Sequence, residues 1–451
     1  MSFFSTNRVA YPMPSALGRE RFSSAVRGFT LIELLVAATI ALSVMAVVAS
    51  LFALFGRAAS NGQSVIDMSA RMRAAGAKLS QDLKGVTARL APSVDPESAT
   101  GYFELIEGTT TDASSTVGDC DDALLFTTRS PTRAFAGRFN ASQIESSTAE
   151  VAWFCRPTPV GGASLYTVYR RQLIVTGYVG AAPFYVSGST TNNQIPGTLP
   201  AAYNLYDLSL RASGAALVPN TLADLTIRAN RFLHSVPPCK TCNGTGKVNN
   251  DTCPDCCGTG QAPPIFSVAT PGTYFDSASG REGEDIVLTN VLAFDVRVFD
   301  PKAQSKINGT TVLYPTDPGY SGGTDPTGPI VAPATTGPFL GVKGCFIDLG
   351  QANLSTILSS AANPGSGLTS TYDTWSTHYE SDGNDDDGDG AIDEGTDGLD
   401  SDGDNMPDEL DEAEKPAPYA VPLSGIEILI RCYDPISQQV RQITVRQVFS
   451  Q

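Results

Sequence analysis

From Phe29 to Phe55 the chain runs for 27 residues with a single charge, Glu33. Wound as a helix rising 1.5 Å per residue, this run spans about 40 Å, long enough to cross a bilayer. A secretory signal has a shorter apolar stretch with a small-residue cut behind it; here the run is longer and more helical pattern follows. Residues 1–28 carry Arg8, Arg19, Arg21 and Arg27 against Glu20 alone, which favours keeping that end in the cytoplasm. A plain membrane anchor accounts for the length and the flank but not for Glu33, because a carboxylate in lipid is costly and normally partnered. If the chain is cut after Gly28, the new amino group of Phe29 lies one helical turn from that carboxylate. It then offers Glu33 of a neighbouring subunit an opposite charge, so that a helix unfavourable as a monomer becomes favourable once assembled.

Arg27-Gly28-Phe29-Thr30-Leu31-Ile32-Glu33 resembles the signal of type IV prepilins and type II secretion pseudopilins. The resemblance rests on about 30 residues. It implies that a prepilin peptidase cuts between Gly28 and Phe29 and methylates the Phe29 amine, with Glu33 as the assembly carboxylate. It also implies a single-pass protein of the inner membrane, with its head in the periplasm or at the cell surface. The implied partners are other pilins or pseudopilins of the same filament and an inner-membrane assembly platform.

Beyond Phe55, Met68, Met72, Ala75, Leu79, Leu83 and Val86 recur at three- and four-residue spacing, with Arg71, Arg73, Lys78, Gln81, Asp82 and Lys84 among them. This is an amphipathic stripe. It predicts one helix of roughly 60 residues, half in the membrane and half under a head, softened at Gly56, Gly62 and Gly76 and ended by Pro92.

The chain's 42 Gly and 30 Pro point to many turns and a β-rich body. Strands are predicted over Ala123–Thr127, Glu150–Cys155, Ser164–Arg170, Leu222–Arg228, Asp285–Leu288, Val291–Phe299, Gly344–Leu349, Gly425–Tyr433 and Val440–Phe449. Val296–Pro301 and Ile430–Pro435 echo one another, each an alternating strand followed by Asp-Pro, which suggests two sheets or sheet halves with related ends. The order of these elements resembles J-type minor pseudopilins and W-type minor pilins, which implies a long helix and a two-part β body. The expected class is α+β: a long N-terminal helix packed on a β-rich head with two inserted modules. The expected divisions are a leader (1–28), a membrane or filament-core helix (29–55), an amphipathic helix (56–91), a first part of the head (92–232), a cysteine-rich module (233–262), a second part (263–350), an acidic insertion (351–415) and C-terminal strands (416–451).

The net charge of −17 is local. Glu380–Glu414 holds 17 of the 47 acidic residues and no Lys or Arg, leaving 30 acids against 30 bases elsewhere. The lack of a basic footprint argues against nucleic acid as the main partner, and the acidic segment points to a cation. Asp385, Asp387 and Asp389 alternate before Gly390, with Asp393 after them. Asp400, Asp402 and Asp404 alternate before Asp408 and Asp411, with the Met406 carbonyl at the seventh position. This is the oxygen spacing of a calcium loop, and the runs resemble thrombospondin type 3 and related calcium repeats. Asn405 replaces the glycine at the sixth position, and Thr396 stands at the twelfth of the first run. The alternative is a solvated acidic linker. Cys239, Cys242, Cys253 and Cys256 form two C-x-x-C-x-G-x-G units whose four sulfurs suit a closed structural zinc site. The repeat resembles the cysteine-rich zinc repeats of J-protein chaperones. Two disulfides or redox-active pairs remain open for thiols outside the cytoplasm.

The chain has two histidines, His234 and His378, and no nucleophile elbow, P-loop or His-Glu-x-x-His. The expectation is a structural subunit and not an enzyme: a minor pilin or pseudopilin of a type II secretion pseudopilus or a type IV pilus. The alternative is a helix-anchored surface adhesin or receptor stabilised by calcium or zinc. His234 is expected at the surface unless it replaces a ligand of the cysteine module, and Trp153 and Trp375 are expected to pack.

Overall fold

A computed structural model describes residues 28–108, 119–139, 142–160, 163–179, 182–183, 195, 199–213, 216–234, 247–248, 251–252, 281, 283–308, 311–313, 339–350, 357–358, 368, 370–384, 392–400, 405–408 and 412–449. Contacts divide the chain into two units, Met1–Asn61 and Gly62–Gln451. The long helix α1 covers Leu31–Lys84. In the first unit its apolar side chains are exposed on every side, from Leu31 and Leu35 to Leu51 and Phe55. A helix apolar all round belongs in lipid or among other apolar helices.

In the second unit the expected stripe is buried: Met68, Met72, Ala75, Leu79 and Leu83 all join the core. Each fully buried Leu or Met contributes about 1.5–3 kcal/mol. The helix passes unbroken through Gly76, and this glycine serves close approach instead of bending. A Cβ there would lie 2.9 Å from Ile443 Cδ1 and 3.4 Å from Val445 Cγ2. The helix ends at Lys84, ahead of Pro92. Its exit is set by Gly85, where a Cβ would come within 2.4 Å of the Arg129 carbonyl oxygen. The Arg129 N–H donates to Gly85 O at 2.7 Å, the Thr87 N–H donates to Thr127 O at 3.0 Å, and the Thr128 hydroxyl donates to Asp82 O at 2.7 Å. The last turn is thus tied to a strand edge, which satisfies groups a helix end leaves open.

Among the described residues the largest sheet of the head has ten strands, with four two-stranded sheets beside it. Its strands are β1 (Phe103–Ile106), β2 (Ala123–Arg129), β3 (Thr148–Val160), β4 (Ala163–Ile174), β5 (Ile286–Asn308), β6 (Thr311–Leu313), β7 (Phe339–Ile347), β8 (Thr371–Asp373), β9 (Gly425–Asp434) and β10 (Gln439–Val448). The order is β8-β1-β2-β3-β4-β5-β9-β10, with β6 and β7 also paired to β5. All these pairs are antiparallel. The 23-residue β5 is the spine. It changes partner along its length, so that Val291 pairs with both Tyr166 and Cys432, and Val298 with both Ile347 and Ile426.

The two echoing segments are neighbours in this sheet. Val296 stands opposite Ile428 and Phe294 opposite Ile430. Asp434-Pro435 does close a turn, since Asp434 accepts from the Ile436 and Ser437 N–H groups at 3.2 and 3.3 Å. Asp300-Pro301 does not. It lies inside β5 where the register shifts, and Asp300 Oδ1 holds that irregularity by accepting from the Lys302 N–H at 2.7 Å. Leu222–Arg228 is also not a strand. It forms two short 3-10 turns, Asp224–Thr226 and Arg228–Asn230. Thr221 and Asp224 cap reciprocally at the start, with N–H to side-chain oxygen distances of 2.8 and 3.2 Å, a capping-box arrangement.

Candidate functional site

The first candidate site is the start of α1. Thr30 is its N-cap: the Leu34 N–H donates to Thr30 O at 3.2 Å. Glu33 Oε2 accepts from the Thr30 N–H at 3.0 Å and from its hydroxyl at 2.9 Å, and the Glu33 N–H donates to Thr30 Oγ1 at 3.3 Å. Thr30-x-x-Glu33 is therefore a capping box, a signal present in the sequence beside the one that singled out Glu33. Among the described residues the partners of the carboxylate are neutral donors. Phe29 stands just ahead, 87% exposed.

Residues 23–49 match the family model of the prokaryotic N-terminal methylation motif. No curated protein and no solved structure matches the chain. The motif supports reading the chain as type IV pilin-like and as a prepilin-peptidase substrate, and it implies other pilin subunits as partners. It marks structural pilin-type proteins, which are generally non-enzymatic. With the apolar helix behind it, the motif fits a membrane-anchored, single-pass protein.

Within the second unit, α1 is fixed by Asp82, which the three- and four-residue spacing of the stripe sets among the polar residues. Asp82 is 1% exposed. It accepts from Arg170 Nε at 2.6 Å and Nη2 at 3.0 Å, from Trp153 Nε1 at 3.2 Å, and pairs with Lys78 at 3.4 Å. Trp153 is packed as expected, fully buried, and its only polar atom is used here. Trp375 is also buried, with Nε1 donating to Lys415 O at 2.8 Å.

His234 is not a free surface histidine. Its Nε2 lies 2.9 Å from both carboxylate oxygens of Glu104. Glu104 and Asp373 face each other across β1 and β8, both fully buried. Like charges directly opposite are destabilising, and Arg231 sits between them, with Nη1 at 3.0 Å from Glu104 and 2.7 Å from Asp373. Burial alone would raise the Glu104 carboxyl, but His234, Arg228 and Arg231 hold it well below the usual carboxylate range.

The acidic insertion is described in part. Asp385, Asp387, Asp389, Asp402, Asp404 and Asp411 lie outside the described residues, as do Cys239, Cys242, Cys253 and Cys256. Asp393, Asp400, Met406 and Asp408 are described. Asp393 accepts from the Gly383 N–H at 3.1 Å, and Asp408 from the Gly398 N–H at 2.8 Å. Asp382 accepts from the Asn384 N–H at 2.9 Å, and Asp397 from the Leu399 N–H at 2.7 Å. Every member of the first set recurs fifteen residues later in the second, including positive φ at Asp393 (54°) and Asp408 (60°). Asn405 takes φ 77° and donates its N–H to Asp400 Oδ2 at 2.8 Å. Asn tolerates the left-handed region, so this sharp turn is made without glycine. Met406 follows it, with its side chain exposed. The neck of the segment is closed by Glu380, whose carboxylate accepts from the Glu414 and Lys415 N–H groups at 2.9 and 3.1 Å.

Proposed function

We propose that this chain is a minor pilin or pseudopilin, a structural subunit of a type II secretion pseudopilus or a type IV pilus. In this reading prepilin peptidase cuts after Gly28 and methylates the Phe29 amine. The helix beginning at Phe29 waits in the inner membrane, with the head in the periplasm. An assembly platform then moves the subunit into a filament. The observation that carries the reading is the methylation motif with Glu33 as the only charge in its apolar run. Thr30 supplies neutral hydrogen bonds to that carboxylate. A neighbour's processed amine adds an opposite charge in a medium of low dielectric, where it counts for far more than in water. Within this class, the order of elements in the sequence favours a J-type pseudopilin or a W-type minor pilin.

The test is Glu33→Ala in cells. Membrane insertion and cleavage should persist while recovery of the subunit in sheared filaments or pseudopili falls at least tenfold. Undiminished surface display would favour the second reading, a helix-anchored adhesin or receptor, which draws on the size of the head and its acidic insertion.

Calcium binding by the insertion belongs to the same proposal. The donors are oxygens only, as calcium requires, and the repeated clamp and the Asn405 turn fit a pair of loops. Asp385, Asp387, Asp389 and Asp393 would serve the first loop, and Asp400, Asp402, Asp404, the Met406 carbonyl, Asp408 and Asp411 the second. Calcium should raise the melting temperature of the full-length protein in detergent above its value in EGTA. Replacing both Asp triads with Asn should lower the number of bound ions by two.

A further inference from the structure

A second group of acids lies in the head, far in sequence from the insertion. Asp119, Asp121 and Asp122 stand immediately before β2, Glu107 just after β1, Asp295 within β5 and Asp348 just after β7. Five of the six are buried: Glu107, Asp119, Asp122, Asp295 and Asp348. One carboxylate oxygen from each of Asp119, Asp121 and Asp122 lies within 4.8 Å of the other two. Backbone amides hold the frame. The Phe294 N–H donates to Asp119 O at 2.7 Å, Val296 to Asp122 Oδ2 at 2.6 Å, Gly108 to Asp122 Oδ1 at 3.3 Å and Leu349 to Glu107 Oε2 at 3.3 Å.

Arg297 pairs with Asp295 at 2.9 Å and approaches Asp348 at 3.7 Å. For Glu107, Asp119 and Asp122 the strongest charged influences are other carboxylates. Among the described residues Asp119 Oδ1 has no hydrogen-bond partner, in a residue only 5% exposed. A buried acceptor left open costs about 1–3 kcal/mol, and more when charged. Burial crowds these carboxylates against one another, where like charges repel. A divalent cation relieves the same repulsion while leaving the acids ionised. Calcium sits 2.3–2.6 Å from its oxygens, so ligand atoms on opposite sides of it are separated by roughly 5 Å. The three Asp oxygens meet that limit.

We infer that Asp119, Asp121 and Asp122 form a calcium site in the head, with Asp119 Oδ1 as its buried ligand. The ion would join the residues before β2 to β5 through Phe294 and Val296, two strands that are not neighbours in the sheet. The site is separate from the loops of the insertion and does not depend on them.

The test counts ions in full-length protein in detergent, by equilibrium dialysis against radioactive calcium. A chain with both insertion triads changed to Asn should retain one ion. Adding Asp119→Asn and Asp121→Asn should remove it. In EGTA the Asp119→Asn chain should melt above the parent, because one crowded charge is gone, and calcium should raise it less than it raises the parent. If the combined variant does not fold, Asp121→Asn alone, at the half-exposed ligand, should weaken binding of the retained ion at least tenfold. Absence of a retained ion in the triad variant, or unchanged binding after Asp119→Asn and Asp121→Asn, overturns the site.

Discussion

The two stretches of α1 share a backbone geometry and differ in what makes it stable. Between Leu31 and Phe55 the side chains are exposed all round and, apart from Glu33 and a few hydroxyls, apolar, with Leu42 67% and Phe52 73% exposed. Between Gly62 and Lys84 one stripe is covered by the sheet and the charged residues lie mostly outside it. The first stretch needs an apolar solvent, whether lipid or neighbouring helices. The second needs its own head. A helix of this length is therefore two arguments joined end to end, and substitutions in each stretch should report to different assays.

The largest effect on the head should come from Asp82→Ala. It strips the buried partner from Arg170, and breaking a buried pair on one side costs about 3–5 kcal/mol. Thermal melting of the full-length protein in detergent should show it. Comparable melting of Asp82→Ala and the parent would mean that stripe packing alone fixes the helix. Next is Leu79→Ala, which opens a cavity at a fully buried position and should cost about 2–5 kcal/mol. Leu42→Ala, the same change in the first stretch, should leave head melting unmoved. If both shift it equally, the division between the stretches is wrong. At Gly76, Val should cost about 1–3 kcal/mol by overpacking against Ile443 and Val445. Ala should be nearly neutral there, because the atom in its way is the mobile end of Ile443 and the helix gains from losing a glycine.

The smallest effect concerns Asp434. Hydrogen bonds from Ser437 and Ser64 hold its carboxyl at about 2. Because the folded value lies below the ordinary one of about 3.9, the stability it contributes is complete above that pH and is lost as the pH falls toward 2. Ser64→Ala should move the Asp434 titration upward, readable by carboxyl-resolved NMR, and should shift the acid limb of stability to higher pH. A titration that stays in place would mean that the turn alone, through Ser437, sets it.

Much of this was legible in the sequence, for physical reasons that can be named. The membrane run and the Met68–Leu83 stripe are local patterns whose period is the helix itself. Most strands of the large sheet show apolar runs bounded by turn residues. What escaped depends on distant partners. Asp82 reads as a polar-face residue until Arg170, 88 positions on, is brought to it. His234 is unremarkable in sequence and gains its role only against Glu104, 130 positions earlier. The joining of both echoing segments in one large sheet was hidden because β4 and β5 pair across more than a hundred residues. The Asp119–Asp122 group carries no local signal, since nothing near it in the sequence shows that Glu107, Asp295 and Asp348 converge on it. Leu222–Arg228 was misread although Thr221-x-x-Asp224 was there to be recognised as a cap. For the insertion, spacing alone suggested calcium loops, and the fifteen-residue recurrence of the clamps adds a structural period that the Asp runs only hinted at.

The account rests on the first residue of the working protein. Mass spectrometry of the N-terminal peptide from the mature chain should find it starting at Phe29, heavier by one methyl group. A mature chain that keeps Met1, or starts at Phe29 with an unmodified amine in a cell whose other pilins are methylated, would contradict it.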